Sequence, residues 1–268
     1  MRKTATTHGI LNPSEGAQHF TLTRHAPSAA LSPFVERYWI VRWDLEGRPP
    51  FVQETLPHPC VNLAFEAGRS AVHGVGTAKF RARLEGKGHV IGTKFRPGGF
   101  FPFYGHDVSE LTDRVVALSE VFDVDGLALE GEVLAAEDDA SAIAVVERFL
   151  MKREPEPDAI VDLVARITEV ALENRAITRV EQLSEQTRVP VRKLQRLFRK
   201  YVGASAKWVI RRYRVHEAAE RVAHGTTQDW AALALELGYT DQSHFIADFK
   251  SQVGHSPAAY AELCRGGA

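Results

Sequence analysis

Two sets of residues have the types and spacing to do chemistry. The first lies in Pro57-His-Pro-Cys-Val-Asn62, where Cys60 has His58 two positions away and His73 and His89 could approach from other strands. A thiol beside an imidazole could act as a nucleophile, and several such groups could hold a metal. The context argues against both. A proline separates His58 from Cys60, the surroundings are apolar, and no carboxylate-bearing H-x-H pattern is present. The expectation is a buried structural cysteine with histidines at the surface or in caps. Arg96-Pro-Gly-Gly99 could pass for a phosphate loop. A phosphate cradle needs a longer glycine pattern leading into a helix, however, and here Phe100, Phe101 and Phe103 follow, as over a tight turn. No G-x-S-x-G elbow or H-E-x-x-H pair occurs. No catalytic residue, metal ligand or cofactor is therefore expected, and an enzyme has no positive support.

The second set is cationic. Residues 188–214 hold ten Lys or Arg (Arg188, Arg192, Lys193, Arg196, Arg199, Lys200, Lys207, Arg211, Arg212, Arg214) and no Asp or Glu, in a chain of net charge −1. So basic a block is an electrostatic footprint for a polyanion, because each Lys or Arg that neutralises a phosphate releases a counterion. Its periodicity sharpens the point. With Pro190 in the first turn of a helix, Leu194, Leu197, Phe198 and Tyr201 follow at i, i+3, i+4 and i+7 as a buried stripe. Arg192, Gln195, Arg196 and Arg199 are left on the opposite side, with Lys193 and Lys200 on its flanks, a face able to reach base edges and phosphates. Gly203 ends the helix.

The segment has a second copy. A shift of 51 residues aligns Leu194-x-x-x-Phe198-Arg-Lys-Tyr-Val-Gly-Ala-Ser205 with Phe245-x-x-x-Phe249-Lys-Ser-Gln-Val-Gly-His-Ser256. Each copy follows a short helical segment and a turn: 180–186 with 187–189, and 230–237 with 238–240. The pattern is helix, turn, helix, twice.

Over about residues 158–263 the chain resembles the AraC/XylS family of transcription regulators. The resemblance rests on both glycine-terminated motifs, on Leu235-Glu-Leu-Gly238-Tyr-x-Asp-Gln-Ser-His-Phe245 and on the Gly254-His-Ser-Pro257 ending. It implies a sequence-specific, effector-responsive regulator whose two second helices enter successive major grooves of double-stranded DNA. Carried over by position, the first reading surface is Arg192, Gln195 and Arg196, and the second is Gln242, Ser243, Ile246 and Ala247; Arg199 and Lys200 add cations to the first segment, and Lys250 is the one cation between Asp241 and Val253 in the second. The resemblance also implies RNA polymerase as a partner, a small-molecule effector in the N-terminal domain, and allows a homodimer. One departure matters. Family members usually carry Arg where Ala247 stands, and Asp248 sits beside it, so the second helix reads as electrostatically weak and the first as dominant.

These helices need a framework, and the chain divides to supply one. Residues 1–164 carry a net charge of −6 and the remainder +5, which fits one nucleic-acid domain and one that avoids DNA. Glu154-Pro-Glu-Pro157 forbids a continuous helix. The expected fold class is therefore α+β and multidomain: a β-rich domain over 1–153, and an all-α tandem helix-turn-helix domain over 158–268. In the latter, Asp158 caps a helix with Ile160, Leu163, Val164, Ile167 and Val170 inward, and residues 206–223 form a helix of ~18 residues, about 27 Å long. That length suits two readers one DNA turn apart, ~34 Å. Trp208 and Trp230 read as packing anchors.

In the first domain, short runs rich in Val, Phe, Tyr and Trp (35–43, 51–56, 61–65, 72–75, 80–84, 89–95) alternate with turns such as Gly86-Lys-Gly88, which suggests a small barrel, with a cupin-like jelly roll as the guess. Trp39, Trp43, Phe65 and Phe95 could line an effector pocket inside it. Trailing helices are expected with Leu111, Val115, Leu118 and Phe122 on one face, and with Ile143, Val146, Glu147 and Leu150 in another helix ending at Lys152-Arg153. Residues 1–16 read as a loose tail. Cys60 and Cys264 stand too far apart in sequence for a zinc cluster and suggest a reducing compartment. With no apolar run of ~18–20 residues, a cytoplasmic protein without membrane contact is expected.

Overall fold

The computed structural model describes residues 9–174, 176–226 and 229–266. Its N-terminal half is built on strands β1 Phe20–His25, β2 Val35–Leu45, β3 Phe51–Thr55, β4 Asn62–Phe65, β5 Ala71–His73, β6 Phe80–Leu84, β7 Gly86–Phe95 and β8 Val115–Ala117. Six of them form an antiparallel sheet in the order β1-β2-β7-β4-β5-β8, while β3 and β6 pair as a separate ribbon. The barrel expected from the strand count is not closed. With β3 and β6 drawn off into their own ribbon, three-residue β8 ends one edge and β1 the other.

Two sequence expectations change here. Gly86-Lys-Gly88 is no turn; it opens β7, where Gly88 and Gly92 stand opposite Trp43 and Trp39 of β2. A Cβ at Gly92 would come within 2.0 Å of the Trp39 indole, so that ring lies across β7 because the residue beneath it has no side chain. The helix expected through Leu111, Val115 and Phe122 is broken into three pieces: a 3₁₀ turn over Val108–Leu111, strand β8, and a helix over Leu118–Phe122. Asp113, at φ 58°, turns the chain between the first two, and the β-branched pair Val115-Val116 then extends the sheet.

Short helices flank this half: α1 Pro13–Gly16, α2 Phe101–Tyr104, α3 Leu118–Phe122, α4 Gly126–Leu134 and α5 Asp139–Met151. The core lies between one sheet face (Tyr38, Ile40, Phe65, Ile91, Phe95) and Phe122, Val146, Phe149 and Leu150 of α3 and α5. Arg153 lies over the rings of Phe122 and Phe149 at 5.5 and 5.2 Å.

After residues 154–157, Asp158 caps α6 Ala159–Glu173 by accepting the Ile160 amide at 2.7 Å. There follow α7 Val180–Thr187, α8 Val191–Leu197 with a π turn over Phe198–Val202, α9 Ala206–Ala223, α10 Trp230–Glu236, α11 Gln242–Val253 and α12 Pro257–Gly266. One apolar cluster joins α6 to α9 (Val164, Ile167, Leu183, Leu194, Phe198, Val209), and a second joins α9 to α12 (Val215, Val222, Leu233, Phe245, Phe249, Tyr260). The sheet half contributes to both: Val75 belongs to the first, Leu11 and Leu56 to the second. Residues 9–16 are therefore not a tail. Leu11 is buried and the Asn12 amide donates to the Tyr260 hydroxyl at 3.0 Å; residues 1–8 lie outside the described residues.

Candidate nucleic-acid interface

Each half of the repeat is set by local capping. The Gln182 side chain reaches back to accept the Arg179 amide at 2.9 Å at the start of α7, and Arg188, in the left-handed region at φ 56°, turns the chain into Pro190 and α8. In the second unit Asp229 accepts the Ala231 and Ala232 amides at 3.0 and 2.9 Å, and Asp241 accepts that of His244 at 2.8 Å. Side chains that prefer to bond these backbone donors begin both α10 and α11.

On α8 the expected separation of faces holds. Leu194, Leu197 and Phe198 are buried, whereas Arg192, Lys193, Gln195, Arg196, Arg199 and Lys200 are exposed. Beyond Phe198 the hydrogen bonding widens, with the Gly203 amide reaching the Phe198 carbonyl at 2.9 Å. That π turn delays the inward position by one residue, so Val202 enters the core fully and Tyr201, expected there, is half-buried against Phe101 with ring centroids 4.2 Å apart. The same Phe101 ring lies 4.9 Å from the Lys200 ammonium. The second copy keeps α geometry, its Gly254 amide bonding the Lys250 carbonyl, and both copies stop on a left-handed glycine, at φ 87° and 91°.

On α11, Gln242, Ser243, Ala247 and Lys250 are exposed and Ile246 is half-buried. Asp248 is not beside them. It is 3% exposed, and its carboxylate accepts from Arg211 Nε at 2.8 Å, from Arg211 Nη2, from the Tyr239 hydroxyl at 2.7 Å and from Gln252 at 2.9 Å. Burial raises its pKa, but these donors outweigh burial and hold the carboxyl below the ordinary aspartate value. The acidic residue read as weakening the second surface thus faces inward.

The basic block is correspondingly smaller than its sequence count. Arg211 is engaged by Asp248, Arg212 is 1% exposed and donates to the Thr77 carbonyl, and Arg214 is 3% exposed and donates to the carbonyls of Ala171 and Asn174 at 2.6 and 3.0 Å. These three arginines of α9 tie it to α11, to the sheet half and to the end of α6. Arg188, Lys207 and the five cations of α8 and its π turn remain exposed.

The thiol-imidazole set is dispersed. Cys60 is buried with the Asn62 amide 3.8 Å from its Sγ, and burial pushes its thiol up to about 11. His58 packs edge-on to His216, and His73 edge-on to Phe80. His89 lines an open groove of about 640 Å³ with Phe20, Arg42, Trp43 and Lys87. Of the aromatics expected to line an effector pocket, Trp43 borders this groove, while Phe65 and Phe95 belong to the core. Among the described residues no helix is long and apolar enough to cross a membrane.

Residues 183–262 match a family model described as a helix-turn-helix domain, and residues 23–117 match a domain of unknown function (DUF6597). No curated protein matches the chain. Among solved structures, a point variant of apo ToxT from Vibrio cholerae is 13% identical with a TM-score of 0.43, over 90% of this chain and 100% of that one. ToxT from the same organism bound to (E)-4-(8-methylnaphthalen-1-yl)but-3-enoic acid is 11% identical with a TM-score of 0.43, over 92% and 99%. A matched helix-turn-helix domain whose second helix exposes a row of cations defines a DNA-binding transcription regulator. The matched domain is of the AraC type.

Proposed function

We propose that the chain reads double-stranded DNA sequence-specifically with both α8 and α11, in successive major grooves, and that α8 supplies most of the affinity. The observation that carries this is the row Arg192, Gln195, Arg196 and Arg199: four exposed side chains on one helix, opposite a buried stripe, with no side-chain partner among the described residues. Arg192, Gln195 and Arg196 face base edges, and Arg199 and Lys200 face phosphates. On α11, Gln242, Ser243, Ile246 and Ala247 form the second reading surface with Lys250 as its cation, and fewer charges make it the weaker contact.

Residues 158–268 form the reader domain in this proposal and residues 1–153 a sensor domain responsive to a small molecule. Selection of bound fragments from a random duplex library by the full-length protein, near physiological salt, tests the reading. Two conserved blocks about one turn apart, ~34 Å, are expected; a single block would remove α11 from the readout, and no motif would remove sequence-specific reading altogether.

A further inference from the structure

One short turn of the sheet half touches the second helix-turn-helix unit twice, once at the helix that carries it and once at the helix that reads. The Thr77 amide and hydroxyl both donate to the Asp113 carboxylate at 2.6 Å, which fixes the turn. Held so, the Thr77 carbonyl accepts from the Arg212 guanidinium of α9. Two residues on, the Lys79 ammonium donates to the carbonyl of Val253, the last residue of α11, at 2.9 Å, while Glu54 grips the same ammonium from the other side at 2.7 Å. A cation there meets the negative end of the helix dipole.

Arg212 shows how much is committed to this contact. It is among the largest fully buried side chains, its Nε and Nη1 have no hydrogen-bond partner among the described residues, and its desolvation is offset by the Thr77 carbonyl, by the Trp208 ring 4.8 Å away and by the charges of Asp248 and Asp113. Beside it, Arg211 grips Asp248 in the middle of α11. Neighbouring arginines of one helix therefore hold the sheet half and the second reading helix.

The first unit meets the sheet half elsewhere, through the Thr112 hydroxyl donating to the Gly203 carbonyl and through Phe101 on Tyr201. A change at Lys79 leaves those contacts in place.

We infer that the turn at residues 77–79 is a positioning element for the second reading helix: through Arg212 it fixes α9, through Lys79 it fixes the end of α11, and the sheet half thereby sets how Gln242, Ser243 and Ala247 are presented to DNA. The inference rests on the two-helix reading above. Lys79 and Arg212 touch no base in this scheme; they act through α9 and α11.

The test uses full-length protein and two duplexes, one carrying both selected blocks and one with the second block scrambled. Wild type should prefer the intact duplex by about tenfold or more, the scale of one or two lost base contacts. Lys79→Met should bring that ratio close to one while leaving affinity for the scrambled duplex unchanged, and Lys79→Arg should restore it. A protein merely weakened in its fold or its overall charge would lose affinity for both duplexes alike. If Lys79→Met does not fold, Asp113→Asn replaces it, since Asn tolerates the left-handed backbone at φ 58° and loosens Thr77 instead. A folded variant that keeps the wild-type ratio overturns this inference alone; a wild-type ratio of one overturns the two-helix reading and this inference with it.

Discussion

Arg211 and Asp248, 37 positions apart, close a two-pronged ion pair from α9 to the middle of α11. The arginine side chain is half-exposed and the carboxylate 1% exposed. Asp248→Ala would orphan the buried Tyr239 hydroxyl and free Arg211 to solvent, and should destabilise the protein by about 1–3 kcal/mol. Denaturant unfolding checks this, and binding to the first DNA block at saturating folded protein should be unaffected.

The same carboxylate gives an acid dependence with a defined sign. Because its folded pKa lies below its ordinary value, the stabilisation is fully present above about pH 4 and is lost as pH falls through the depressed folded value. Unfolding midpoints followed from pH 6 down to pH 3 should fall more steeply for wild type than for Asp248→Asn. Parallel curves would mean that Asp248 contributes nothing to the acid limb.

Base and phosphate contacts separate by their sequence and salt dependence. Arg196→Ala should cost about 1–3 kcal/mol on the selected duplex and relax the preference at one base pair, whereas Lys200→Ala should weaken binding to all sequences and lower the salt slope by about one. Ala247→Arg adds an exposed cation to α11 and should raise that slope by about one. Titrations at several salt concentrations on specific and random duplexes distinguish the three.

Gly92→Ala probes the sheet. Its new methyl would collide with the Trp39 indole, which must lift off β7 and release the Asn62 side chain it donates to at 3.3 Å. A destabilisation of about 1–3 kcal/mol is expected, with a red shift in tryptophan emission as that ring gains solvent.

Much of the reader was legible because its signals are local. The helix expected over residues 206–223 is α9, Ala206–Ala223, and Asp158 caps α6 as its residue type requires. The inward turn of Asp248 was also in the pattern, since it stands at i+3 from Phe245 and beside Phe249 on the buried stripe; its charge drew it to the wrong face. Nothing in sequence foretold that Arg211, Arg212 and Arg214 serve as internal ties, because two of them bond backbone carbonyls, which every residue owns. Barrel closure failed for a related reason: strand-like runs can be counted along the chain, but the pairing of β3 with β6 is a choice of partner, made by tertiary packing. The π turn at Phe198, which exchanged Tyr201 for Val202, leaves no mark in a helical period.

Val75, Leu11 and Leu56 sit inside the apolar clusters of the helical half, and Thr77 and Lys79 add polar contacts to it. The two halves are consequently poor cassettes for exchange. A chimera that grafts another N-terminal domain onto these helices would need to supply aliphatic plugs where Val75, Leu11 and Leu56 stand, a carbonyl for Arg212 and a cation for the end of α11. Exchange therefore means transplanting a set of matched contacts, not joining two independent pieces at a linker.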